Sequence, residues 1–99
     1  MNNATTLHRG TTVTTGSAHR MMADTYLISA YLAASGGTAT CNVYGRISAE
    51  APWGTTPLVT FGLSGANDRA QYLLNEPWFE IKADISAIAS ATATITAGY

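Results

Sequence analysis

The residues whose types could do chemistry fall into four groups. His8 and His19, with Asp24 close behind, offer two imidazoles and a carboxylate. Zinc is held by such groups, but in ligand pairs spaced like C-x-x-C or H-x-x-x-H, and no pair of that kind accompanies them. Glu80 and Asp84 share one face of an extended segment. Paired carboxylates hydrolyse glycosides when they stand about 5 to 9 Å apart across a cleft. Lys82 lies between them, so the alternation of sign reads instead as a solvated row of cross-strand pairs. Gly62-Leu63-Ser64-Gly65 lacks the G-x-S-x-G pattern of a nucleophile elbow. Cys41 has no basic neighbour to draw off its proton, which makes it a small core residue and not a reactive thiol. No nucleophile, base and orienting acid come together. The expectation is therefore no enzyme, no metal and no cofactor.

Binding residues are easier to find. Trp53 sits in "AEAPWGTTP", a loop with prolines and a glycine, where a rigid aromatic ring can meet a partner. Tyr31, Tyr44 and Tyr72 fall on the outer positions of extended segments or near their ends. Trp78 follows Pro77 and reads as a lid on the core. Leu7 and Val13 are the main large apolar residues of an N-terminal stretch otherwise rich in Thr. Leu7, Val13, Tyr31, Tyr44, Trp53 and Tyr72 are thus the candidate partner contacts. Flat aromatics with polar neighbours serve sugars and protein surfaces alike, so a glycan is an alternative partner at Trp53.

The elements that must position these residues are strands. In 99 residues the chain can bury one core. Apolar residues make up 46% and charged residues only 11%, under half the usual share. With a net charge of −1 and five scattered basic residues there is no footprint for nucleic acid. The run from Tyr26 to Ala34 is too short to span a membrane. No apolar stretch follows a basic N-terminal segment, so no secretory leader is expected. Cys41 is the single cysteine, so no internal disulfide can form and packing alone must hold the fold.

Alternation of period two runs through most of the chain. Tyr26, Ile28, Ala30 and Leu32 share one face, with Leu27, Ser29 and Tyr31 on the other. Ala39, Cys41, Val43, Gly45 and Ile47 form the inner row of the next strand, and Gly45 marks a bulge or a close approach. Val59, Phe61 and Leu63 follow, then a short strand over 71–75. Phe79, Ile81, Ala83 and Ile85, then Ala93, Ile95 and Ala97, read as the two arms of a closing hairpin. Ser35-Gly36-Gly37 reads as a tight turn. Residues 1–24 read as an N-terminal arm with a short strand around Thr11–Thr15, and 25–99 as the domain. Deleting 1–20 should then leave that domain folded. About seven or eight short strands at this spacing predict an all-β antiparallel sandwich, of jelly-roll or immunoglobulin-like type.

Residues 25–99 resemble small β-sandwich proteins from the virions of tailed bacteriophages. The segments that carry the likeness are "TATCNVYG", "APWGTTPLVTF", "LSG", "EPWFEIKADISAI" and "ATATITAGY", with a Thr-rich start, "TTLHRGTTVTTG". The resemblance implies a virion structural protein, either capsid decoration (cement) or a tail or head-to-tail accessory. For a cement protein it implies a place on the capsid surface, the major capsid protein as partner, and a homotrimer at three-fold positions. It supplies no catalytic residue.

Overall fold

The computed structural model describes residues 3–99. The strands are β1 (Ala4–Gly10), β2 (Thr14–Thr15), β3 (His19–Arg20), β4 (Tyr26–Leu32), β5 (Thr38–Arg46), β6 (Val59–Ser64), β7 (Arg69–Leu74), β8 (Glu80–Ala89) and β9 (Ala93–Gly98). One sheet has the order β1-β9-β4-β7. The other has β2-β8-β5-β6, with β3 also on β8. All pairings are antiparallel. This is an all-β sandwich.

The two short strands β2 and β3 pair with successive parts of β8, at Ile85 and Asp84 and then at Ile81 and Glu80. They are one edge strand interrupted near Gly16, whose N–H still donates to the Ala83 carbonyl at 2.8 Å. Counted so, the chain is folded back on itself at the β5–β6 loop. The first strand pairs with the last, the second with the one before the last, and so inward to β5 and β6. That is the order of a jelly roll, and it decides against the immunoglobulin-like alternative.

The topology corrects the local pairing read from sequence. β8 and β9 do not form a hairpin, because they lie in opposite sheets. Both carry an apolar row, Ile81, Ala83 and Ile85 on one and Ala93, Ile95 and Ala97 on the other, and all six are buried. The two rows face each other across the core and bury each other there. Ser90, at φ 51°, turns the chain between the layers. The Gly36-Gly37 turn likewise joins β4 to β5 across the core.

The N-terminal stretch is no separate arm. β1 pairs with β9, while β2 and β3 pair with β8, so this segment closes one edge of each sheet. A register shift in β1 between Thr6 and His8 leaves Leu7 unpaired, and Leu7 lies in the core at 6% exposed. The Thr-rich composition concealed this, since Thr suits an edge strand as well as a loop. The strand placed at 11–15 is real only at Thr14 and Thr15.

In β8 a shift opposite Thr40 and Cys41 leaves Ser86 as the extra residue of a bulge. It absorbs a break in the pattern: after Ile81, Ala83 and Ile85, the next large apolar residue is Ile88, one position late. The bulge keeps Ile88 packed on the core. Ile47 departs from the expected inner row. Strand β5 ends at Arg46, the chain turns through Ser48 and Ala51, and Ile47 is 76% exposed. Gly45 is a close approach: an added Cβ would stand 2.6 Å from Trp78 Cδ2. Trp78 packs against the core as a lid.

Cys41 is fully buried and free. Burial pushes its thiol up from 9.0 to about 11, and the Asp84 carboxylate adds to the rise. An unfolded chain would ionise this thiol first. The stability tied to it is whole below pH 9.0 and is lost as pH climbs toward about 11. Urea melts from pH 8 to 11 should therefore show a steeper alkaline fall for the native chain than for Cys41→Ala. Parallel slopes would mean that Cys41 titrates alike in both states.

Candidate functional site

The sandwich offers two broad outer faces, and three of the six sequence-derived contact residues, Tyr31, Tyr44 and Trp53, lie on them. On the β2-β8-β5-β6 sheet, β8 sends Glu80, Lys82 and Asp84 outward, opposite Arg46, Tyr44 and Asn42 of β5. The side chains form ordered cross-strand links. Thr60 Oγ1 donates to Asn42 Oδ1 at 2.8 Å. Asn42 Nδ2 donates to Asp84 Oδ1 at 2.9 Å and to Ser86 Oγ at 3.0 Å. Arg46 Nε donates to Glu80 Oε1 at 2.7 Å, and Nη2 reaches the same oxygen. Glu80 and Asp84 are thus tied into cross-strand links, as their spacing suggested, whereas Lys82 lies opposite Tyr44 and, among the described residues, has no charged partner across the strands.

The β5–β6 loop folds back over this face. Gly54 N–H donates to the Gly45 carbonyl at 3.4 Å, which brings Trp53 down onto the strands. The indole covers two cations, with Lys82 Nζ 4.5 Å and Arg46 Cζ 5.0 Å from the ring centroid. Such contacts are worth about 0.5–1 kcal/mol where exposed and more where water is excluded. Beside the ring lies an open cleft of about 320 Å³ lined by Thr15, Tyr44, Trp53, Gly54, Thr55, Lys82 and Asp84. The structure joins Trp53 to Tyr44, which no sequence spacing connects. It also adds Thr15, Lys82 and Asp84, whose relation to Trp53 depends on how the loop folds back.

The β1-β9-β4-β7 sheet presents its outer face in rows fixed by register. Ala4, Gly98, Leu27 and Leu73 form one row. Thr6, Thr96, Ser29 and Gln71 form the next, and Arg9, Thr94, Tyr31 and Arg69 a third. No carboxylate occurs in these rows. Leu27 and Leu73 are direct cross-strand partners, 44% and 58% exposed, and Tyr31 is 42% exposed. Leu73 was missed in the sequence, because "QYLLN" does not say which leucine faces inward. Leu74 is buried and Leu73 is not.

The remaining candidates lie apart. Tyr72 is on edge strand β7, opposite Ile28. Val13 is exposed in the turn before β2, and Leu7 is in the core and unavailable to a partner. The two histidines do not meet. His8 Nε2 is 2.7 Å from Thr14 Oγ1, while the His19 ring packs edge-on against Tyr26 with centroids 5.9 Å apart. Among the described residues no three His, Cys, Asp or Glu side chains group as a metal site.

The class these features define is a small jelly-roll sandwich with an aromatic cleft on one face and, on the other, carboxylate-free rows that carry an exposed leucine pair. Its architecture is shared with a solved structure, the SPBc2 prophage-derived protein YomS. The two are 9% identical with a TM-score of 0.65, over 99% of this chain and 92% of that one. At this identity the likeness is one of fold. No protein-family model matches the sequence, and no curated protein matches it.

Proposed function

We propose that this chain is a bacteriophage virion structural protein that decorates the capsid. It binds the outside of the major capsid protein lattice through the outer face of the β1-β9-β4-β7 sheet and stabilises the joints between subunits. The observation that carries this reading is the exposed Leu27–Leu73 pair, with Tyr31 two rows along the same sheet face, whose paired rows contain no carboxylate. Aromatic and aliphatic residues desolvated at the centre of a contact, ringed by uncharged hydroxyls and amides, are what a stable protein interface uses. Arg9 and Arg69 at the two ends of one row suit a partner surface that carries acidic groups. The fold it shares with a prophage-derived protein points the same way.

Under this proposal the protein is made in the host cytoplasm and ends on the virion surface. It self-associates as a trimer, matching three-fold positions of the lattice. The mass of the purified protein in solution, followed by co-sedimentation with empty capsids, tests both parts. Native protein should saturate capsids at a copy number matching three-fold or quasi-three-fold sites. Leu73→Asp should weaken capsid binding about a hundredfold or more, the scale of a central contact. It should leave the thermal melt nearly unchanged, because Leu73 is already exposed. Capsid binding that survives Leu73→Asp would exclude this face. Binding to tails but not to heads would exclude the capsid as the partner.

A further inference from the structure

We infer that the cleft beside Trp53 is a binding site for a neutral sugar residue of a glycan. It lies on the sheet opposite the proposed capsid contact, so it neither needs nor opposes that reading. Its volume of about 320 Å³ is at the small end of ligand sites, which run from about 300 to 1,000 Å³. The lining combines two aromatic rings, Trp53 and Tyr44, with one ammonium, one carboxylate and the hydroxyls of Thr15 and Thr55.

The charges of that lining are balanced and largely unspent. Among the described residues the one ion pair is Arg46–Glu80, so neither Lys82 nor Asp84 has an ionic partner. Asp84 lines the cleft and accepts from Asn42 through Oδ1, and among the described residues no side chain or backbone N–H donates to Oδ2. Lys82 is held over the indole, and among the described residues its N–H donors meet no acceptor. A ligand that fits must therefore have an apolar flat face for the rings. It must also carry both donors and acceptors at its edge, and no net charge. A pyranose meets all three conditions through its C–H face and its hydroxyls. An anionic ligand would meet Asp84, and phosphates would find a single lysine where nucleic-acid sites cluster several.

The site is also held in shape before a ligand arrives. Thr60 orients Asn42, Asn42 orients Asp84, and the Gly54–Gly45 hydrogen bond holds the Trp53 loop. Groups fixed in this way lose little freedom on binding, which raises affinity for a small ligand.

The test is a two-dimensional ¹H–¹⁵N titration of the intact chain with cellohexaose, maltohexaose and chitohexaose, and with an oligomer of uronic acid as the anionic control. At least one neutral oligosaccharide should move the Trp53 indole N–H and the Asp84 and Thr55 amides saturably. The Trp78 indole should stay in place. Trp53→Ala should abolish the response while its spectrum remains dispersed. Asp84→Asn, which keeps the side chain's shape, should weaken binding by about tenfold or more, the usual loss of one charged hydrogen bond. The inference is overturned if none of the three neutral sugars moves these signals. It is equally overturned if only the uronic acid does so, or if Asp84→Asn and Trp53→Ala both bind as the native chain does.

Discussion

A chain lacking residues 1–20 is expected to be unfolded at 25 °C. The deletion removes β1, β2 and β3, and with them the outer partners of β9 and β8. It also removes Leu7 from the core. Losing a buried leucine side chain alone costs about 2–5 kcal/mol. The deletion further uncovers Ile81, Ile85 and Ile95, which are at most 1% exposed in the native protein. Domains of this size hold about 5–15 kcal/mol in all, so the loss is comparable to the whole. Two new open edges would then present unpaired N–H and C=O groups to other chains, and aggregation should follow. Circular dichroism melts and an amide spectrum report the result. A truncated chain with a dispersed spectrum and a melting temperature within about 5 °C of the full chain, a loss near 1 kcal/mol, would show that the N-terminal strands are dispensable.

Gly37→Ala should have the second largest effect, a loss of about 4 kcal/mol from backbone strain and collision together. Gly37 has φ 91°, a conformation that residues with a Cβ rarely adopt. An added Cβ would fall on the Ser90 carbonyl oxygen and come within 2.5 Å of that of Ala89. These are backbone atoms of the β8–β9 connection, so no side chain can rotate away. The Gly37 turn is itself held from the other side, because the Gly37 carbonyl accepts from Gly65 N–H of the β6–β7 turn at 2.9 Å. This one position thus joins three crossings between the sheets. Gly62→Ala is the control: nothing lies within 4 Å of the Cβ it would add. It should change stability by no more than about 0.5 kcal/mol. Urea melts of the two variants give the comparison. Equal midpoints would mean that the 36–37 turn relaxes without cost.

Several elements were legible because period-two alternation records which side of a strand is dry. The inner rows Tyr26, Ile28, Ala30, Leu32 and Ala93, Ile95, Ala97 are buried as the pattern says, and β4 turns Leu27 and Tyr31 outward. Cys41 as a core residue was likewise legible, and of the two readings of Gly45, a bulge or a close approach, the structure bears out the second. Both positions stood out in the sequence because a small residue on an inner row must be small for a reason.

Alternation is silent about partners, and there the tertiary structure decided. An apolar row is satisfied equally by a neighbour in the same sheet or by the facing sheet, so β8 and β9 read as a hairpin and proved to be opposite walls of the core. Thr-rich segments have nearly the same local preference in a loop and at a sheet edge, so β1 to β3 became strands only because β8 and β9 left edges for them to close. The cleft at Trp53 depends on strands from both halves of the chain and on a loop that folds back over them. Amino-acid order fixed the faces of the strands, since sidedness is a property of neighbouring residues. Which faces meet, and which side chains share a site, depends on contacts between residues far apart in the chain. Those exist only in the folded sandwich, where the two sheets bury their apolar rows against each other.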